Sequence, residues 1–251
     1  VAISGTGTVT GDTAGTVSTS TPKTWSVSEG SYSVSETSLP AGWTMTSNTC
    51  TPQNLTILVT DSSTEASLQK TCTITNTKLA KLRIVKDALP NDPQDFAFTT
   101  TGTGLSAFSL DDDSDGTLSN SQEFVYLAPG TYAVTETPTD GWSLTGLSCD
   151  TNNFTANGAQ VSVQLAAGQV TTCTYTNTKF GSISGTKYEV NADKSTVAVE
   201  PSGWIITLFN GGVSTGLTDG TDENGYYEFT GLLPGSYSVT ESPLSGWTQI
   251  Y

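Results

Sequence analysis

Short runs of alternating apolar and polar residues recur along this chain, each closed by a turn signal. Leu82-Arg83-Ile84-Val85-Lys86 and Tyr132-Ala133-Val134-Thr135-Glu136 are two such runs. In an extended strand, side chains two apart share a face, so each run has one apolar row and one polar row. Pro129-Gly130 and Pro234-Gly235 introduce two of the runs, and Asp115-Gly116, Asp140-Gly141, Asn157-Gly158 and Asn224-Gly225 are hairpin-type turns. No segment carries the apolar period of an amphipathic helix. The pattern predicts an all-β fold of short strands arranged as antiparallel β-sandwiches.

The runs are themselves repeated. GSYSVSETSLPAGW (Gly30 to Trp43), GTYAVTETPTDGW (Gly130 to Trp142) and GSYSVTESPLSGW (Gly235 to Trp247) are near copies, placing Glu36, Glu136 and Glu241 in equivalent positions 100 and 105 residues apart. TCTITNTK (Thr71 to Lys78) matches TCTYTNTK (Thr172 to Lys179), and KLRIVKD, with Lys86, matches SISGTKYE, with Lys187, both at an offset of 101. A period this long is one sandwich domain. The sequence therefore predicts three tandem prealbumin-like or immunoglobulin-like repeats: residues 1–78 without a first strand, 79–179 complete, and 180–251 without its last strands. VAISGTGT at Val1 aligns loosely with FAFTTTGTG at Phe96. Incomplete end repeats leave backbone groups unpaired, so the expectation is a window on a longer array, or neighbouring molecules that complete one another by strand exchange.

Composition narrows the function. Of 251 residues, 24 are Asp or Glu and 9 are Lys or Arg, for a net charge of −15. That balance excludes nucleic acid and anionic membrane surfaces as partners, because both need a basic footprint. There is no membrane span and no signal or anchor motif. The chain has no histidine, which removes the commonest general base and transition-metal ligand. No catalytic set stands out, so the chain reads as a non-enzyme that requires no cofactor.

Four cysteines fall in matching places of the first two repeats, Cys50 with Cys72 and Cys149 with Cys173, 22 and 24 residues apart. Pairing within each repeat is the simplest reading, with buried free thiols as the other. A zinc site would need four ligands close together. Disulfides would place the protein outside the cytosol.

Alternation also carries three polar residues inward. Lys86 follows Leu82 and Ile84, Glu136 follows Tyr132 and Val134, and Asn177 follows Cys173 and Tyr175, each on the apolar face of its strand. A buried lysine beside a buried glutamate is costly unless each satisfies the other. The first repeat keeps Glu36 and Asn76 without a lysine strand, and the third keeps Lys187 and Glu241 without an asparagine strand.

The YxVxET…GW corner, the first-strand lysine and the last-strand TNT resemble the Cna-B/SpaA-type prealbumin-like domains of cell-surface proteins and pili. Cys72 with Asn76, and Cys173 with Asn177, are similar to their disulfide-containing relatives. That resemblance implies an isopeptide bond, with Lys86 as nucleophile, Asn177 as electrophile and Glu136 as proton shuttle. Burial, which lowers a lysine pKa and raises a glutamate pKa, suits that chemistry. The alternatives are a buried hydrogen-bonded cluster and a lysine snorkelling to solvent. The corner here reads PTDGW rather than the pilin-type APxGY, and a disulfide already staples the same strand.

Three further features bear on ligands. Asn54-Leu-Thr and Asn153-Phe-Thr are glycosylation sequons, each four residues after the first cysteine of its pair. Asp111, Asp113 and Asp115 match the first half of a calcium loop, but position twelve is Gln122, with Glu123 one step late. A solvated acidic hairpin is the competing reading there. Asp219, Asp222 and Asn224 precede GYYEFTGLLPGSYSV, a run that resembles the B repeats of staphylococcal-type adhesins. Trp43, Trp142 and Trp247 recur at one corner, as core packing or as exposed platforms for sugar. The leading expectation is an extracellular stalk or filament built from copies of itself or neighbouring repeats. The alternative is an adhesin module recognising glycan or a surface protein.

Overall fold

The computed structural model describes all residues except 19–20, 59–62, 64–67, 114, 192, 194, 196–201 and 250–251. Its named elements are all strands. The first repeat contributes β1 (Ala2–Gly5), β2 (Val9–Thr10), β3 (Ser26–Val27), β4 (Gly30–Ser35), β5 (Trp43–Asn48), β6 (Thr56–Ile57) and β7 (Ile74–Lys78). The second contributes β8 (Ala80–Leu89), β9 (Phe96–Thr101), β10 (Phe108–Leu110), β11 (Ser121–Leu127), β12 (Gly130–Glu136), β13 (Trp142–Cys149), β14 (Phe154–Asn157), β15 (Gln160–Leu165) and β16 (Val170–Lys179). The third contributes β17 (Gly181–Thr186), β18 (Ile205–Asn210), β19 (Val213–Gly220), β20 (Tyr226–Leu232) and β21 (Tyr237–Glu241).

The second repeat is a two-sheet sandwich. One sheet runs β10-β9-β12-β15-β14 and the other β11-β8-β16-β13. The inward rows of both fill one core, with Leu82, Ile84, Phe98, Val134, Val163 and Tyr175 fully or almost fully buried. Pairing is antiparallel with one exception: β16 runs parallel to β8 over nine residue pairs, Val170↔Lys81 to Thr178↔Leu89. These are the first and last strands of the repeat. Parallel strands need a long crossover, and here the rest of the repeat is that crossover.

The same plan reads through the first repeat. Ile3 pairs with Val34 as Thr100 pairs with Val134, so β1 corresponds to β9. That register puts Val1 opposite Phe98 rather than Phe96, correcting the alignment by two residues. Gly5 and Gly102 then coincide, and in both a Cβ would strike the neighbouring tyrosine ring, Tyr32 or Tyr132. Those tyrosines share a further feature with Tyr237. Each hydroxyl donates to the carbonyl four residues back: Tyr32 to Ser28 at 2.9 Å, Tyr132 to Ala128 at 2.7 Å and Tyr237 to Leu233 at 2.7 Å. This is a tyrosine corner, and it pins the entry of β4, β12 and β21.

The repeats follow one another almost without a linker. A single residue separates β7 from β8, and another separates β16 from β17. Both residues make the same contact: Leu79 N–H donates to Gly42 O at 2.7 Å and Phe180 N–H to Gly141 O at 2.8 Å. Each junction is thereby tied to the Gly-Trp corner of the repeat it leaves.

Candidate functional site

Three strands from two sheets bring the inward polar residues of the second repeat together. Lys86 lies on β8 beside Tyr175 of β16, and Asn177 lies two residues further along the same strand. Glu136, at the end of β12, faces them from the other sheet. All three are buried. The Lys86 amine is 3.7 Å from Glu136 Oε1, too far for a hydrogen bond, and donates instead to the carbonyls of Asp87 at 3.1 Å and Tyr175 at 3.2 Å. It also sits over the Phe96 ring, 4.0 Å from the centroid. The Asn177 side chain hydrogen-bonds Glu136. Glu136 Oε1 and Asn177 Oδ1 are enclosed and have no hydrogen-bond partner.

Burial sets the charge state of the pair. It pushes the Lys86 pKa down, against the attraction of Glu136, and pushes the Glu136 pKa up, against the attraction of Lys86 and the Asn177 hydrogen bond. Both shifts favour a neutral amine beside a neutral carboxylic acid. A neutral amine is a nucleophile, and a carboxyl group touching both the amine and an amide can move a proton between them.

The end repeats hold partial versions of this cluster. In the first, Asn76 Nδ2 donates to Glu36 Oε1 at 2.9 Å, while Glu36 Oε2 and Asn76 Oδ1 are enclosed without partners. In the third, Lys187 and Glu241 form an ion pair of 2.7 Å, and the lysine lies over the Trp204 ring at 4.5 Å. The aromatic seat under the lysine, Phe96 in one repeat and Trp204 in the other, escaped the sequence reading. Its signal was an aromatic residue at the start of the next strand after Lys86, or just before it after Lys187.

The cysteines pair within repeats, Cys50–Cys72 and Cys149–Cys173. Cys149 and Cys173 are direct cross-strand neighbours on β13 and β16. Among the described residues no free cysteine remains.

Asn54 and Asn153 are both exposed, and Asn54 Nδ2 donates to Thr49 O at 2.9 Å. Asp111, Asp113 and Asp115 do converge, with carboxylate oxygens within 4.8 Å of one another; Ser114 between them lies outside the described residues. Thr117 Oγ1 donates to both Asp111 and Asp115. Glu123, the candidate bidentate ligand, is engaged with Lys81 at 2.6 Å. The set fits a hydrogen-bonded acidic hairpin better than a calcium loop. In the third repeat, Asp219 and Asp222 accept from the backbone N–H groups of Glu228, Asn224 and Tyr226, which is loop capping. Trp142 is core, packed edge-on to Phe96 at 5.3 Å. Trp43 and Trp247 are exposed.

Family models described as prealbumin-like fold domains, of SpaA type, match residues 82–179 and residues 1–74. The chain belongs to the SpaA-type prealbumin-like domain family. Comparison with curated proteins finds no match. Among solved structures, the Bacillus anthracis TIE protein aligns with 70% of this chain at 15% identity and a TM-score of 0.31, and this chain covers 32% of it. A streptococcal ancillary pilin aligns at 16% identity and a TM-score of 0.31, covering 84% of this chain and 70% of its own. Two B repeat units of the Staphylococcus aureus collagen-binding protein align at 18% identity and a TM-score of 0.24, covering 88% and 55%.

Proposed function

We propose that this chain is part of a stiff extracellular stalk or filament whose first two repeats are hardened by covalent bonds inside the domain. One observation carries the reading: successive SpaA-type domains are joined by a single residue that is itself hydrogen-bonded to the preceding Gly-Trp corner. Flexible linkers let domains tumble independently, and these junctions have none. Two within-repeat disulfides suit an oxidising compartment. No helix among the described residues is long and apolar enough to cross a membrane. The experiment is small-angle scattering of the purified chain. A rod-like profile with repeats in line is expected, and a globule or a freely jointed profile overturns the proposal.

The second part of the proposal is an isopeptide bond between Lys86 and Asn177. The neutral Lys86 amine attacks the Asn177 side-chain carbonyl carbon. A bond forms between Nζ and Cγ, the bond from Cγ to Nδ2 breaks, and ammonia leaves. Glu136, as a neutral acid, accepts a proton from the amine on one oxygen while its other oxygen gives a proton to the departing nitrogen. Glu136 Oε1, enclosed and unpartnered next to the amine, supports that role. The product is lighter by about 17 Da, and the loss survives reduction, whereas opening the disulfides adds about 2 Da each. Sugar at Asn54 and Asn153 would add hundreds of daltons in the same spectrum. An intact mass equal to that of the bare reduced sequence would remove the bond and the glycans together.

A further inference from the structure

Tyr175 is linked to each member of the Lys86–Glu136–Asn177 cluster. It is the register partner of Lys86, and its carbonyl accepts from the Lys86 amine at 3.2 Å. Asn177 is two residues further along β16, on the same inward row. The Tyr175 side chain crosses the core to the opposite sheet, where its hydroxyl donates to Val134 O at 2.7 Å. Val134 stands two residues before Glu136 on β12. The backbone of Val161, the register partner of Val134 on β15, hydrogen-bonds the same hydroxyl.

This bond differs in kind from the other contacts across the sandwich. Apolar packing is non-directional, so two sheets held by it alone can shift slightly at their ends. A hydrogen bond fixes both distance and direction. The Tyr175 ring is itself fully buried and packed edge-on to Phe98 at 5.1 Å. Burial pushes the pKa of its hydroxyl up, so the group stays a donor. The end of β12, carrying Glu136, is thereby tied to the strand carrying Asn177.

We infer that Tyr175 is a positioning residue whose hydroxyl sets the reach of Glu136 to the Lys86 amine and the Asn177 amide, and so the rate at which the Lys86–Asn177 bond forms. The inference rests on the isopeptide reading given above. The amine lies 3.7 Å from Glu136 Oε1, about 1 Å beyond hydrogen-bond range. A misplacement of about 1 Å costs about a hundredfold in rate, so a small slip of β12 matters. Ile74 holds the equivalent place in the first repeat, which shows that the strand accepts an aliphatic side chain there.

The test takes the whole chain, purified unfolded in urea before any bond has formed, and refolds it across a range of pH. Bond formation is followed as the loss of about 17 Da, and amide exchange of β8 reports that each variant has folded. Tyr175→Phe, which keeps the ring, is expected to slow the loss roughly tenfold or more. Its rate–pH profile is expected to fall off at lower pH than the parent's, because a less firmly enclosed Glu136 gives up its proton sooner. Tyr175→Ile should behave likewise. Tyr132→Phe removes a bond of the same length, 2.7 Å, near the start of β12; it controls for stability alone and should keep the parental rate and profile. Equal rates in Tyr175→Phe and the parent overturn the inference and leave the bond standing. So does equal slowing by Tyr175→Phe and Tyr132→Phe with the profile unmoved. A parent chain that never loses the 17 Da overturns the bond, and the inference with it.

Discussion

Lys86 and Tyr175 are register partners across the parallel β8–β16 pair, and the lysine side chain turns back to donate to the Tyr175 carbonyl at 3.2 Å. The amine is thus held at the seam between the first and last strands of its repeat. Whether it remains an amine has consequences for stability.

In an Asn177→Ala variant, Lys86 keeps its amine. Burial holds its folded pKa below the ordinary 10.5, so between those values the unfolded chain binds more protons. Stability of the second repeat in the variant is therefore expected to rise with pH from the lowered value towards 10.5. Glu136 acts in the opposite sense at acid pH. Its folded pKa is raised above 4.5, and stability falls as pH rises from there through the folded value. A bonded wild-type chain has no Lys86 titration and lacks the alkaline rise. Urea unfolding across pH, with disulfides intact, reads the difference.

Replacing Cys149 and Cys173 together by alanine opens a loop of 24 residues. The expected loss is about 3 kcal/mol of unfolding free energy in the second repeat on the chain-entropy model, measured by denaturant titration.

Tyr132→Phe removes the hydroxyl that donates to Ala128 O at 2.7 Å. A cost of about 1 kcal/mol is expected. Gly102→Ala should cost more, because φ there is +130° and the new Cβ would lie 2.6 Å from the Tyr132 ring. Thermal unfolding of the two variants orders them.

Tyr126 adopts φ 60° at the β11 bulge, where the equivalent residue of the third repeat is Gly231, with φ 69°. Its ring lies against Gly42 of the preceding repeat. Tyr126→Gly should relieve a backbone penalty of about 1 kcal/mol and yet loosen the junction. Faster amide exchange at Trp43 and Leu79, with β11 unchanged, is the expected outcome.

The inward placing of Lys86, Glu136 and Asn177 was legible in the sequence because strand alternation has a period of two, and one apolar row fixes the face. The cysteine pairing was legible because the repeats superimpose. The parallel β8–β16 pair was not, since alternation carries no information on strand direction. Nor was the left-handed Tyr126, a residue type that gives no local sign of that conformation. The Trp corner divides by context. Trp142 is covered because Phe96 packs against it, whereas among the described residues no ring packs against Trp43, which stands exposed.

Because the first and last strands of the second repeat lie side by side and point the same way, the chain enters at one end of that pair and leaves at the other. A pull along the array would slide β8 against β16, loading their nine register pairs in shear and all at once rather than one after another. A bond between Lys86 and Asn177 would join those two strands directly. Nearly the whole of the sandwich between them would then hang outside the path of the force.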